Sequence, residues 1–284
     1  MARSFNGTTD YVENNAVTGQ VGGAFSFACW AYPTSFAAFA VVWGTITTGN
    51  NTGHAYLAFE TTGKCRWEVA SNGSNATALD SSGALPLNAW AHLAGTVDAG
   101  NNMIVYTNGA AAGTAVAVGH NWGGYADAGR LGQGFGASFA GRVGECAVWP
   151  AVLTAAEIAA LAQGTSPARI RPNSALYWPL YGVASPEPDL SGRGFNGTVT
   201  GTALANHPPV GPYGPSDDLS AYFGVASPPV PIVPPSQAPI IQILLPPSVG
   251  GALQAIEYAS YFGPFRHVVQ MGRQRGISMA RRSG

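Results

Sequence analysis

Short apolar runs alternate with glycine-rich turns through the first two thirds of the chain, and this alternation limits the fold more than any other feature. Residues 25–32 end at Pro33, and residues 37–46 end at a turn that begins at Thr48. Residues 55–59 and 66–70 flank a further turn at Thr62 and Gly63. Runs this short, separated by such turns, are typical of strands in a sandwich or barrel. The sequence therefore predicts an all-β domain.

Two further turns indicate β-hairpins, and one segment indicates a helix. Residues 90–97 and 103–107 are separated by five polar or small residues, and Asn108-Gly109 is a dipeptide typical of two-residue hairpins. Thr154 and Glu157 have the spacing of a capping box, and Gly164 can end the alanine-rich run that follows. We expect one short surface helix between them.

Composition and charge exclude several partners. Thirteen basic and fourteen acidic residues give a net charge of −1, so the whole molecule has no field that attracts nucleic acid or an anionic membrane. The longest dense apolar run, residues 240–245, is far shorter than the ~20 residues that cross a bilayer. We expect neither nucleic acid nor membrane as a partner.

The cysteines indicate a reducing environment. Cys29, Cys65 and Cys146 are odd in number, and no apolar signal segment is recognisable at the N-terminus. We therefore expect no disulfide framework, and we expect the protein to be synthesised in a cytosol. Each cysteine is expected to be a small buried apolar residue, because none lies in a Cys-x-x-Cys motif or beside a histidine.

Prolines change the character of the chain after residue 206. Twelve prolines between residues 207 and 247 exclude helix and central strand, and they favour extended, polyproline-like chain. Beyond Phe265 there are five arginines and no acidic residue. The predicted organisation is a β-sandwich over residues 1–206 and an extended proline-rich arm with a basic C-terminus over residues 207–284.

The arm contains candidate anchors for docking on another protein. Residues 240–245 are apolar and β-prone, and such a segment needs a cover to avoid aggregation. Aromatic and arginine side chains follow it and can serve as further anchors. The candidate docking residues are Ile240, Ile241, Ile243, Leu244, Tyr261, Phe262, Phe265, Arg273 and Arg275.

Seven segments of the first 205 residues carry a family resemblance through their order and spacing. They are residues 4–12 (SFNGTTDYV), 25–30 (FSFACW), 90–98 (WAHLAGTVD), 105–109 (VYTNG), 129–132 (GRLG), 139–149 (FAGRVGECAVW) and the helix at 153–161. Together they resemble the laminin-G-like jelly roll of the concanavalin A-like lectin and glucanase superfamily, as found in phage and bacterial surface proteins. The resemblance implies a jelly-roll sandwich of two sheets.

Within these segments we predict the positions of four aromatic residues. Trp30, Trp90 and Trp149 lie in strand-like runs where a large ring can fill the space between the two sheets. His92 follows Trp90 by two positions, and we expect a strand residue at the sheet surface rather than a metal ligand.

Catalytic carboxylates are not evident. Relatives that cut polysaccharides carry Glu-x-Asp-x-x-Glu on one strand, and none of the seven glutamates here has an aspartate two residues later. Glu60 and Glu68 would face each other only if their hairpin brought them together. Nucleophile elbows, phosphate-binding loops and paired metal motifs are also absent from the sequence. We therefore predict that the protein is not an enzyme.

Two loops are candidates for ligands. Several laminin-G-like relatives bind calcium on a loop rim, and Asp98, Asn101 and Asn102 share one loop. A calcium site in this loop is therefore an open alternative, although we predict no cofactor. The stronger candidate is the loop at 120–127, where two aromatic rings stand among glycines and suit stacking on a sugar or a partner. Packing of its tryptophan against the sandwich is the alternative. The candidate ligand residues are Asn121, Trp122, Tyr125 and Asp127.

Two functional hypotheses follow from the sequence. The first is a non-enzymatic structural, decorating or adhesion protein of a multi-subunit particle, most naturally a phage virion made in the host cytoplasm. In that case the sandwich is displayed and the arm docks on neighbouring subunits. The alternative is a free carbohydrate-binding lectin module. Virion subunits and surface glycans are the corresponding partners.

Overall fold

A computed structural model describes residues 1–16, 23–36, 39–46, 53–71, 74–79, 82–118, 128–134, 137–171, 173–210, 258–261 and 267–270. The chain divides into two compact units, Met1–Gly214 and Pro215–Gly284. The predicted boundary at residue 206 stays a prediction. No helix within the described residues is long and apolar enough to cross a membrane.

The first unit is built on two antiparallel sheets. Sheet A has nine strands: β1 (Ala2–Asn6), β3 (Phe25–Pro33), β8 (Ala91–Val97), β9 (Asn102–Thr107), β10 (Ala110–Ala111), β11 (Val116–Ala117), β15 (Ala140–Trp149), β16 (Leu176–Trp178) and β18 (Ala203–Ala205). Sheet B has seven: β2 (Tyr11–Asn14), β4 (Ala40–Ile46), β5 (Gly53–Phe59), β6 (Cys65–Ser71), β7 (Ser74–Leu79), β12 (Ala128–Leu131) and β17 (Thr198–Thr200).

The remaining elements of this unit are a small hairpin and two helices. They are β13 (Gln133–Gly134), β14 (Ala137–Ser138), α1 (Ala155–Ala162) and α2 (Pro167–Ile170). Sheet A runs in the order β10-β9-β8-β3-β15-β1-β18, with β11 on β9 and β16 on β15. Sheet B runs in the order β17-β2-β12-β4-β5-β6-β7. This arrangement confirms the predicted all-β jelly-roll sandwich.

The main core lies between the two sheets. Alternate residues of β3, among them Phe25 and Phe27, join Trp43 of β4 and Trp67 of β6 in one buried cluster. Phe27 stacks on Trp43 with ring centroids 4.5 Å apart. Trp67 packs directly on Gly95 of β8, where a Cβ atom would lie 2.3 Å from the indole ring. The missing side chain of Gly95 thus lets the two sheets close around Trp67.

The predicted location between the sheets is wrong for three tryptophans, although Trp30 and Trp149 are buried core residues as expected. Trp149 is fully buried, but it packs with Ile158 of α1 on the outer face of sheet A, the face turned away from sheet B. Trp30 also points outward, because its neighbours along β3 belong to the core between the sheets. Trp90 is only half-buried and precedes β8. Among the described tryptophans, those between the sheets are Trp43, Trp67 and Trp178.

Helix α1 begins as the sequence predicts. The backbone N–H of Glu157 donates to the Thr154 hydroxyl at 3.2 Å, and the backbone N–H of Thr154 donates to the Glu157 carboxylate at 2.7 Å. Gly164, with a φ of +91°, follows the last turn. The four-residue helix α2, which begins with Pro167, was not predicted. Both helices lie between β15 and β16 in the chain.

Other local predictions are confirmed. Asn108 and Gly109 have φ values of +49° and +86°, as the two-residue turn between β9 and β10 requires. All three cysteines are free and buried. Burial also raises the pKa of the Cys146 thiol, which lies beside Cys29.

The second unit contains one described pair of strands, β19 (Tyr258–Tyr261) and β20 (His267–Gln270). They are antiparallel, with Tyr258 opposite Gln270 and Tyr261 opposite His267. Tyr261, one of the predicted docking anchors, lies in this hairpin, and the hairpin itself was not predicted from the sequence.

Candidate functional site

The predicted ligand residues Asn121, Trp122, Tyr125 and Asp127 lie outside the described residues, so that site stays a prediction. The same applies to the docking candidates Ile240, Ile241, Ile243, Leu244, Phe262, Phe265, Arg273 and Arg275. Tyr261 ends β19, where its backbone pairs with β20.

A row of four half-buried side chains crosses the outer face of sheet A. Ser4 of β1 is opposite Arg142 of β15, which is in turn opposite Tyr32 of β3. Trp90 packs against Tyr32 with ring centroids 5.6 Å apart and planes inclined at 66°. Because neighbouring strands are about 4.8 Å apart, the row extends over roughly 14 Å. We call Ser4, Arg142, Tyr32 and Trp90 the aromatic row.

Strand alternation explains why the aromatic row faces away from the core. Ala31 and Val143 belong to the cluster between the sheets. Their neighbours along the strands, Tyr32 on β3 and Arg142 on β15, therefore point outward. The adjacent row on the same face is covered. A Cβ atom on its Gly144 would lie 3.0 Å from Pro208, and Trp30 beside it is buried.

The guanidinium of Arg142 lies over the Tyr32 ring, with Cζ 4.4 Å from the ring centroid. This distance is well within the range of a cation–π interaction, which holds the guanidinium plane against the ring. The aromatic row therefore offers two rings, one positive charge and two hydroxyls on a single accessible surface. Such a surface can stack on the apolar face of a sugar while its polar groups bind hydroxyls.

In the row next to the aromatic row, on the same face of sheet A, lies a buried histidine. His92 is 1% exposed and packs edge-on against Trp30, with ring centroids 5.5 Å apart. As predicted, His92 is a strand residue on the outer face of its sheet, but neighbouring side chains cover that face here and bury the ring. Burial lowers the pKa of His92 to about 3, so the ring is neutral at neutral pH. Among the described residues, no group of three His, Cys, Asp or Glu side chains is arranged to hold a metal.

The loop considered for calcium uses its carboxylate internally. Both Asp98 oxygens accept hydrogen bonds from the Asn102 side-chain amide at 3.1 and 3.2 Å, and one also accepts from the Asn102 backbone at 2.8 Å. The backbone hydrogen bond from Asn102 lowers the pKa of Asp98. These contacts close the β8–β9 hairpin, which is the structural role that turn residues usually have.

Comparison with known proteins decides the family. The family model of the concanavalin A-like lectin/glucanases superfamily matches residues 6–159, more than half of the chain. The chain belongs to this superfamily. A search of curated proteins found no significant match.

Several solved structures are similar to this chain. A candidate carbohydrate-binding protein from Bacteroides ovatus is 22% identical with a TM-score of 0.53, and the match covers 73% of this chain and 60% of that one. A heptameric SAP-like pentraxin from Limulus polyphemus is 18% identical (TM-score 0.48, 58% and 83% covered). Domains LG4-5 of the mouse laminin α1 chain are 17% identical (TM-score 0.42, 52% and 40% covered). At 22% identity and a TM-score above 0.5, the likeness to the Bacteroides ovatus protein supports the fold alone.

Because the superfamily includes glucanases, the positions of the carboxylates matter. The β5–β6 hairpin does bring Glu60 and Glu68 together, but both bind Arg66, at 2.8 Å in the case of Glu60. His54 is also 3.0 Å from Glu68. Burial lowers the pKa of Arg66, but the hydrogen bonds to both carboxylates outweigh it and raise the pKa above its usual value. These carboxylates hold an ion-pair network together.

Other described parts of the outer face of sheet B are also paired or covered. Arg130 lies 4.2 Å above the Tyr11 ring and binds Glu13 at 2.6 Å. The β13–β14 hairpin packs over the middle of this face, where Val41 and Tyr56 are buried. Compared with sheet B, sheet A presents the more open combination of aromatic and charged groups.

Two further glutamates are buried where the last strands join the sandwich. Glu145, at a bulge in β15 with a φ of +54°, accepts hydrogen bonds from the Tyr177 hydroxyl at 2.7 Å and from Tyr181, and it lies 2.9 Å from His207. Burial raises the pKa of Glu187, which pairs with Arg3 at 2.8 Å. A raised pKa is typical of catalytic acids. Glu187 is fully buried, however, and out of reach of a polymeric substrate.

The sequence analysis missed most of the aromatic row. Trp90 was singled out for the core, whereas Ser4, Tyr32 and Arg142 were not considered as site residues. A signal was present in part, since Trp30 and Tyr32 are two apart and so share one face of β3. Nothing in the sequence indicated which strand would bring an arginine beside them.

Proposed function

We propose that this chain is a carbohydrate-binding module that recognises glycans through the aromatic row. The observation that carries the proposal is the accessible arrangement of Trp90, Tyr32 and Arg142 across neighbouring strands of sheet A. A flat surface of this kind suits the extended apolar face of an oligosaccharide. Membership of a superfamily that includes lectins supports the same function.

The proposed module is not catalytic. Hydrolysis of a glycosidic bond requires a carboxylic acid and a second carboxylate at a defined separation beside the substrate. No glutamate or aspartate belongs to the aromatic row. The paired glutamates of sheet B are held by Arg66, and an acid bound to a permanent cation is a poor proton donor.

A glycan array with the full chain tests this proposal. Tyr32→Ala and Trp90→Ala are each expected to weaken binding by about tenfold or more, because each removes one stacking ring. Tyr11→Ala is the matched control, since Tyr11 is a half-buried tyrosine under an arginine on sheet B. It should retain wild-type binding. Loss of binding in Tyr11→Ala alone would move the site to sheet B, and absence of any retained glycan would refute the module.

A role in a multi-subunit particle such as a phage virion is a second proposal, and it rests on the sequence of the arm. The proline-rich segment, the apolar residues 240–245 and the terminal arginines suit docking on a neighbouring subunit. Deletion of residues 237–284 is expected to abolish incorporation into the particle while circular dichroism still reports a folded sandwich. Normal incorporation of the truncated chain would exclude the arm as the attachment device. A particle can also display a lectin, so the two proposals are compatible.

A further inference from the structure

Arg142 differs from four other arginines of the sandwich in its electrostatic surroundings. Four described arginines form ion pairs with carboxylates: Arg3 with Glu187, Arg66 with Glu60 and Glu68, Arg130 with Glu13, and Arg171 with Glu157. For Arg142, the contact that the described structure provides is with the Tyr32 ring. Its positive charge is therefore not neutralised by a carboxylate of the described chain.

The comparison with Arg130 isolates this difference. Both arginines lie over a half-buried tyrosine, at 4.2 Å for Arg130 on Tyr11 and 4.4 Å for Arg142 on Tyr32. Glu13 occupies the free edge of the Arg130 guanidinium, with contacts of 3.0 Å to Nε and 2.6 Å to Nη2. The cross-strand neighbours of Arg142 are Ser4 and Tyr32, and neither is an acidic residue. Within the described part of the chain, sheet B thus supplies a carboxylate to its arginine, and sheet A supplies none to Arg142.

A guanidinium held in this way is suited to one kind of ligand group. The cation–π contact occupies the face of the guanidinium and leaves the N–H donors at its edge to point along the sheet surface. Two parallel donors match the two oxygens of a carboxylate, and the resulting bidentate pair is among the stronger polar contacts in proteins. Arg171 shows this pairing within the same molecule, because its Nε and Nη2 donate to the two different oxygens of Glu157 at 2.6 and 2.8 Å. At Arg130, both donors bind the same oxygen of Glu13.

We propose that Arg142 makes the aromatic row selective for carboxylate-bearing sugars, such as uronic or sialic acids. The carboxylate takes the position at Arg142 that Glu13 takes at Arg130, while Tyr32 and Trp90 contact the sugar ring. The inference rests on the proposed function and specifies the class of glycan that the same surface binds. Ser4, on the other side of Arg142, offers a hydroxyl to a neighbouring polar group of the ligand.

The test uses the full chain and an array of matched glycans in which each carboxylated member has a neutral parent and a sulfated counterpart. Carboxylated members are expected to bind at least about tenfold more tightly than their neutral parents. Arg142→Gln is expected to abolish this preference. Arg142→Lys should restore it only in part, because lysine keeps the charge and loses the bidentate fork. Arg130→Gln is the matched control and should leave the preference intact, and thermal melting checks that each variant is folded.

Each outcome discriminates. Equal binding of neutral and carboxylated members, unchanged in Arg142→Gln, overturns the selectivity while the carbohydrate-binding module stands. Equal or tighter binding of sulfated members overturns the carboxylate assignment in favour of recognition by charge alone. Loss of preference in Arg130→Gln but not in Arg142→Gln places the anionic subsite on sheet B. Failure to retain any glycan overturns the proposed function and, with it, this inference.

Discussion

Arg142 lies 4.4 Å above the ring of Tyr32, and the two residues are directly opposite each other on β15 and β3. The pair joins a positive charge to an aromatic surface at the centre of sheet A. Its counterpart on sheet B, Arg130 over Tyr11, has a similar distance to the ring at 4.2 Å, but Arg130 is directly opposite Glu13 and pairs with it. This asymmetry between two similar pairs is the basis for assigning recognition to sheet A.

The tryptophans should differ in their contribution to stability. Trp67 is fully buried between the sheets, so Trp67→Ala is expected to lower the free energy of unfolding by about 3–5 kcal/mol. Trp90 is half-buried, and Trp90→Ala should cost only about 1–2 kcal/mol. Urea denaturation of the two variants measures both values. Equal losses would contradict the assignment of Trp90 to the surface.

Gly95 and Trp67 should be energetically coupled. A Cβ atom at Gly95 would overlap the Trp67 ring, so Gly95→Ala is expected to destabilise the protein by about 1–3 kcal/mol or more. In a Trp67→Ala background the added methyl group has space, and the penalty should largely disappear. A double-mutant cycle measures this coupling. Additive effects of the two substitutions would show that the sheets do not close on Gly95 as described.

His92 should make stability depend on pH. Burial lowers its folded-state pKa to about 3, below the ordinary value near 6.5, so the unfolded chain takes up the proton first as pH falls. The stabilising contribution is complete above about pH 6.5 and is lost progressively toward pH 3, by about 1 kcal/mol per pH unit. Urea denaturation of the wild type and of His92→Gln at several pH values measures this difference. If the unfolding free energies of the two proteins depend on pH in parallel, His92 takes up a proton in the folded protein as readily as in the unfolded chain.

Local features of the fold were predictable because their causes are local. The turn at Asn108 and Gly109 requires two residues that tolerate positive φ, and the capping box requires only Thr154 and Glu157 at the correct spacing. Both can be recognised from a few neighbouring residues. The regular spacing of such signals predicted the sandwich as a whole.

The direction of side chains was harder to predict. Residues 25–32 are apolar on both sides, because α1 covers part of the outer face at Ala28 while the other side forms the core. Alternation alone therefore could not indicate whether Trp30 faced the opposite sheet. The bulge at Glu145 shifts the register between β15 and β3, and this shift determines which residue of β15 is opposite Tyr32. Neither effect is visible before the strands are paired.

The most direct test of the central claim is to map the bound glycan by amide and indole chemical shifts. The full chain, labelled with ¹⁵N, is titrated with the glycan that the array retains most strongly. The largest shifts are predicted at Tyr32, Arg142 and the indole N–H of Trp90, with little change at Tyr11 and Arg130. Largest shifts at residues 121–127 or on sheet B, with the aromatic row unaffected, would contradict recognition through the outer face of sheet A.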